Sequence, residues 1–183
     1  KTDRVWLVLF SKKPFIWIPL TFDYKILNET IELLNINSVS NNNPDLLWTN
    51  IWDALLMAWK MFDLDKLEDK NREKVVILMT DGDANYWTDP NIASKFLSEY
   101  WIKVYSVWIW WKEWGEISFL NYREFIPPIT PDKLIKISEI TWANAYFAYD
   151  NDSLENIFND LGKLKKSEIE VDKIIDYKNF NNY

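Results

Sequence analysis

"KVVILMTDGDANYWTDP", residues 74–90, is an apolar run that stops at two acidic residues flanking a glycine. The run 74–79 is rich in β-branched side chains and shows no alternation, the pattern of a strand buried on both faces of a sheet. "VWLVLF" (5–10) and "KVYSVWIW" (103–110) read the same way. Helical spacing separates them. Leu27, Ile31 and Leu34 fall on one face, and Ile51, Leu55, Ala58 and Phe62 form a longer stripe. Asp89 before Pro90 and Thr130 before Pro131 are N-cap and first-turn signatures. They open helices carrying Phe96, Leu97 and Tyr100, then Leu134, Ile137 and Ile140. A strand at 144–150 precedes a last helix with Leu154, Ile157, Phe158, Leu161 and Leu164 on one side. "FIWIPLTF" (15–22) follows "SKKP" closely, which predicts a hairpin at a sheet edge, where Pro19 is tolerated. Strands alternating with helices predict an α/β fold, a doubly wound and mostly parallel sheet flanked by helices. Ligands bind such sheets beyond the carboxyl ends of the strands, where Asp81 sits. "TDGD" is equally a good turn, so a ligand role for Asp81 requires a second oxygen donor nearby.

Composition narrows the chemistry. The 183 residues, 48% of them hydrophobic, suffice for one core. With 21 basic against 28 acidic residues, net −7, the chain lacks the excess of Lys and Arg that nucleic-acid binding needs. It has no His and no Cys, which removes imidazole bases, thiol nucleophiles, disulfides and the usual zinc ligands. A metal site here must be built from oxygens, which points to Mg²⁺, Ca²⁺ or Mn²⁺. No apolar run approaches the roughly 18 residues that span a bilayer. "SVSNNNPD" (38–45) reads as a polar loop and "KNFNNY" (178–183) as a linker.

Seven segments in order, "DRVWLVLFS", "PLTFDYKIL", "WTNIWDALLMAWKMF", "KVVILMTDGDAN", "WIKVYSVWIW", "ITWANAYFAYDNDSLENIF" and "KLKKSEIE", resemble von Willebrand factor A domains. The likeness runs closest to the membrane-anchored bacterial Bat (aerotolerance) group. It implies a sheet whose top carries a metal-ion-dependent adhesion site. That site is formed by an Asp-x-Ser-x-Ser loop after the first strand, a Thr from a second loop and an Asp from a third. Thr49 in "WTNI" matches the Thr and Asp81 in "MTDG" matches the last Asp. Nothing matches the Asp-x-Ser-x-Ser loop, so the central first strand is expected to lie upstream of this chain. Residues 1–166 are then an N-terminally truncated domain and 167–183 a linker towards a transmembrane helix. Without that strand the sheet would have a gap in its middle, and the isolated chain is expected to be poorly stable.

The resemblance implies a non-enzymatic protein–protein interaction module. A partner carboxylate completes the coordination of Mg²⁺ (or Ca²⁺ or Mn²⁺), with Thr49 and Asp81 as ligands. Asp83, Asn85 and Asp89 then belong to the rim or cap a helix. It also implies an extracytoplasmic domain tethered by flanking membrane helices outside this chain, with sibling Bat proteins and a MoxR-type AAA ATPase as partners. A metal-free scaffold of the same fold is one rival. A Mg²⁺-dependent phosphatase is another, because Asp81-x-Asp83 superficially resembles the carboxylate pair of haloacid-dehalogenase-like enzymes.

The chain carries 12 Trp and 3 Gly, whereas average usage predicts about 13 glycines in this length. Trp6, Trp48, Trp52, Trp101, Trp108, Trp110 and Trp142 fall where the family pattern usually has glycine. Tryptophan in place of a left-handed glycine costs roughly 1–2 kcal/mol. Added bulk in packed strands costs about 1–3 kcal/mol more. The expectation is that many of these residues are glycine in the natural protein, from a genetic code that reads UGA as glycine.

Overall fold

The computed structural model describes residues 3–34, 49–64, 73–81, 89–109 and 131–163. Strand β1 (Val5–Phe10) turns through residues 11–13 into β2 (Pro14–Thr21), and the two pair antiparallel, Phe10 opposite Pro14 and Val5 opposite Thr21. This is the hairpin expected from "SKKP". Helix α1 (Tyr24–Glu32) starts at Asp23, whose carboxylate accepts the Lys25 and Ile26 N–H groups. There follow α2 (Ile51–Leu64), β3 (Lys74–Thr80), α3 (Pro90–Glu99), β4 (Ile102–Ile109), α4 (Asp132–Ile140), β5 (Ala145–Ala148) and α5 (residues 151–163).

Strands β3, β4 and β5 form a parallel sheet in chain order, Lys74 beside Ile102 and Ser106 beside Ala145. Helices α2, α3 and α4 cover one face. Ile51, Leu55, Ala93, Leu97, Leu134 and Ile137 meet Leu78, Ile102 and Val104 there in one core cluster. The opposite face is covered by α5, where Ile157, Leu154 and Leu161 pack on Val107 and Ala148. Helices on both faces of a parallel sheet are the α/β architecture read from the alternation of strands and helices.

Strand β5 pairs with β4 only from Ser106 onward. The earlier half of that β4 edge is finished by helix hydroxyls. The Val104 N–H donates to Thr141 Oγ1 at 3.0 Å, and the Ser106 N–H to Ser138 Oγ at 3.0 Å. All four residues are buried, so each bond satisfies an amide that has no access to water.

Several expectations are corrected. The runs 5–10 and 74–79 read as strands buried on both faces, yet every β1 residue is only half-buried, and Ile77 and Met79 of β3 are 42% and 36% exposed. The cause is topological. β1 and β3 belong to separate sheets, so among the described residues each has a strand on one side only. Ile31 is exposed because α1 lies at the outer hairpin and buries only Leu27, and Phe158 is exposed on α5. Pro131 takes the N-cap position rather than the first helical one, its carbonyl accepting the Ile135 N–H. Thr130 and Leu164 lie outside the described residues.

Two helix ends bear on the tryptophans. Helix α3 stops at Tyr100 and α4 at Thr141, and the residue after each is in the left-handed region: Trp101 at φ 57° and Trp142 at φ 56°. The Trp142 N–H donates to the Glu139 carbonyl and the Ala143 N–H to the Ser138 carbonyl, the paired bonds of a Schellman end. Trp101 likewise donates to the Ser98 carbonyl. That position favours glycine because a Cβ collides there with the following carbonyl. The two rings lie 5.4 Å apart and are 77% and 60% exposed. Trp6, Trp52 and Trp108, by contrast, are half-buried: Trp6 packs on Phe62, and Trp52 and Trp108 on the core cluster.

The start of α5 supplies a pH-dependent element. Asp150 Oδ1 accepts the Ser153 N–H at 2.7 Å, and Ser153 Oγ accepts the Tyr149 and Asp150 N–H groups, a reciprocal cap. The Ser153 backbone and side-chain hydrogen bonds hold the Asp150 carboxyl below its ordinary value. A lowered folded value means that its stabilisation is full above the ordinary carboxylate range, near pH 4, and is lost as pH falls through the folded value. Asp150→Asn keeps a capping oxygen without the charge. In thermal melts between pH 5 and pH 2 the variant is expected to lose less stability than the parent.

Candidate functional site

Parallel strands bring their carboxyl ends to one side of a sheet, and the sequence-predicted ligands sit at such ends. Asp81 is the first residue past β3 and is exposed. Thr49 is half-buried, two residues before α2 begins. The residue between Thr49 and the helix, Asn50, explains how that helix start is held. Asn50 Oδ1 accepts the Asp53 N–H at 3.1 Å, and its Nδ2 donates to the Asp53 carboxylate at 2.8 Å and to the Lys12 carbonyl at 3.0 Å. The Asn50 N–H donates to the Ser11 carbonyl at 2.8 Å. The side chain therefore caps α2 and fastens it to the turn after β1, and it is almost wholly buried. Thr49 is thereby held at the carboxyl end of β1 and Asp81 at that of β3.

Asn50 and Asp53 were not singled out by the sequence reading, although Asn-x-x-Asp before an apolar stripe is a legible capping pattern. Asp89 is the N-cap of α3, accepting the Asn91 N–H at 2.9 Å, as expected of a capping residue. Asp83, Asn85 and Trp48 lie outside the described residues. Trp52, the second residue of α2, is half-buried.

A hydroxyl and a carboxylate are oxygen donors of the kind a hard cation takes. A hard divalent cation wants about six oxygens, however, and among the described residues no three acidic side chains cluster as a metal group. Asp53 is already engaged by Asn50. Thr49 and Asp81 each offer an oxygen of the type Mg²⁺ or Mn²⁺ takes, and a full shell needs further groups. No helix among the described residues is long and apolar enough to cross a membrane.

Comparison with known structures bears on the fold. The chain resembles BatB from Bacteroides thetaiotaomicron at 20% identity and TM-score 0.68, over 91% of this chain and 81% of that one. An aerotolerance-related membrane protein from Bacteroides fragilis matches at 20% identity and TM-score 0.64, over 85% and 76% of the two chains. Proximal thread matrix protein 1 from the mussel byssus, with a zinc-occupied MIDAS motif, matches at 20% identity and TM-score 0.61 over 88% of this chain and 34% of that one. These likenesses establish the fold. No curated protein matches the sequence. The family model of the von Willebrand factor type A domain matches residues 1–160, nearly the whole chain, and the protein belongs to that family.

Proposed function

We propose that the domain is a non-enzymatic interaction module whose contact with a protein partner is bridged by a divalent cation held in part by Thr49 and Asp81. The observation that supports this reading is a hydroxyl two residues before α2 and an exposed carboxylate just past β3, in a chain of this family. In this reading Asp81 holds the cation directly or through water, Thr49 contributes its hydroxyl, and a partner carboxylate takes an open position. Mg²⁺ keeps several waters readily, which leaves such a position exchangeable. The likeness to a zinc-occupied MIDAS structure supports the same reading.

The remaining ligands belong, on this proposal, to an Asp-x-Ser-x-Ser loop upstream of Lys1, with 1–166 as the truncated domain and 167–183 as its linker. The likeness to BatB and to an aerotolerance-related membrane protein supports a membrane-tethered, extracytoplasmic module working with Bat-like siblings and a MoxR-type ATPase. A second element of the proposal is that Trp101 and Trp142 are glycine in the natural protein, supported by their left-handed backbone. TGA codons at both positions are expected in the genomic DNA, and TGG at both discards it.

The metal reading is tested by adding Mn²⁺ to the ¹⁵N-labelled chain. Paramagnetic broadening is expected first at Thr49 and Asp81, and Asp81→Asn should weaken it at least tenfold. Broadening confined to other acidic residues, or unchanged in Asp81→Asn, favours the metal-free scaffold instead.

A further inference from the structure

We infer that the outer side of the β1–β2 hairpin and of helix α1 is a docking surface for an anionic lipid membrane. Among the described residues, half of the sixteen exposed large apolar side chains fall between residues 15 and 33, so apolar exposure is concentrated at one edge of the molecule. Phe15, Ile16 and Trp17 are consecutive on β2 and all exposed, as is Phe22 just past the strand. Successive strand residues point to opposite faces, so β2 presents apolar surface on both.

Helix α1 turns more of the same chemistry outward. Its buried residue is Leu27. Tyr24, about 60° from Leu27 around the helix, donates its hydroxyl to the Asp3 carbonyl at 2.6 Å, so that flank faces the beginning of β1. Ile26 and Leu33 lie about 100–120° from Leu27 in the opposite sense, on the flank away from β1, and both are exposed. A concentration of apolar surface of this kind marks a contact with a protein or a membrane.

Two features choose lipid. The first is charge. Between residues 4 and 26 stand Arg4, Lys12, Lys13 and Lys25 against one carboxylate, Asp23, whose Oδ1 is taken up by the Lys25 and Ile26 N–H groups. A net +3 here, in a chain of net −7, is complementary to anionic headgroups. The cations flank the apolar residues: Lys12 and Lys13 lie in the hairpin turn, Arg4 opens β1 with its guanidinium 5.8 Å over the Phe22 ring, and Lys25 begins α1. Lys25 and Glu29 approach to 3.8 Å with both side chains largely exposed, so the pair leaves the lysine available to headgroups. The second feature is the strand edge. Pro14 and Pro19 have no N–H, and the register with β1 shifts twice between Val5 and Val8, so the outer edge of β2 is a poor template for another protein strand. A fluid bilayer requires no such ladder. Aromatic and aliphatic side chains enter its interfacial region while lysine and arginine stay among the headgroups. The surface belongs to the chain itself, so the inference is independent of the proposed cation and of the proposed tether.

The test is co-sedimentation of the full 183-residue chain with vesicles of phosphatidylcholine and phosphatidylglycerol in equal parts, against vesicles of phosphatidylcholine alone. Binding about tenfold or more tighter to the anionic vesicles is expected. Lys12→Gln with Lys13→Gln should remove most of that preference, whereas Phe15→Ser with Ile16→Ser should abolish binding to both. Because the chain has no Cys, a single introduced cysteine can carry an environment-sensitive dye. The dye on Ile16→Cys should shift to the blue on anionic vesicles, and the dye on Asn159→Cys, an exposed position of α5, should not. No binding, or equal affinity for the two vesicles, overturns the inference. A blue shift at both labels overturns it too, because the chain then unfolds on the lipid. So does a shift at Ile16→Cys that grows with protein concentration in the absence of vesicles, which assigns the patch to a second copy of the chain.

Discussion

Replacing Trp101 and Trp142 together by glycine is expected to raise the thermal midpoint of the chain by roughly 2–8 °C, a gain of about 1–2 kcal/mol. Each residue sits at φ near 57°, where a Cβ costs roughly 1–2 kcal/mol. Two losses reduce the gain. Glycine lowers the stability of the folded state by about 0.5–1 kcal/mol through backbone entropy. The ring contact at 5.4 Å, exposed on both sides, also disappears. That contact predicts how the effects combine: each single variant loses it, whereas the double variant loses it once. The double gain should therefore exceed the sum of the single gains by the worth of the pair, about 0.5–1.5 kcal/mol. The Trp101→Ala, Trp142→Ala pair removes the rings but keeps a Cβ and should give no gain. A double glycine variant less stable than the parent shows that these positions do not require glycine.

Asn50→Ala is expected to destabilise the chain by about 1–3 kcal/mol in urea unfolding. Loss of the cap accounts for roughly 0.5–2 kcal/mol. The bond to the Lys12 carbonyl adds about 0.5–1.5 kcal/mol. Asn50→Asp separates two roles. Aspartate caps helices as well as asparagine does, but it cannot donate to the Lys12 carbonyl and sets a second carboxylate against Asp53. If Asn50 works chiefly as the fastening between α2 and the turn after β1, aspartate should fail nearly as badly as alanine. If it only caps the helix, aspartate should be tolerated. On the proposed metal reading, both variants also weaken Mn²⁺ broadening at Thr49.

Much of the fold was legible because its signals are local. The apolar runs at 74–79 and 103–110, the Asp89–Pro90 start and the stripe through Ile51, Leu55 and Ala58 each depend on neighbours in sequence, and each formed its element. The exposure of Ile77 and Met79 was not legible from the run itself, because it depends on which strand stands beside β3. Nor could Thr141 and Ser138 be recognised as partners of β4, since their role depends on where β5 begins. Only part of the candidate site could be read. Thr49 and Asp81 came from matched loops, whereas Asn50, which holds the helix start next to Thr49, carried only a capping pattern that was not singled out.

The hydroxyl bonds from α4 to β4 have a dynamic consequence. Backbone amides within a sheet exchange with solvent when their neighbouring strand opens, but the Val104 and Ser106 amides are held by a helix instead. They can meet water only when the end of α4 lifts from the sheet. Helix and strand edge are thereby joined into one cooperative unit, and local fraying of β5 leaves the interior of β4 closed.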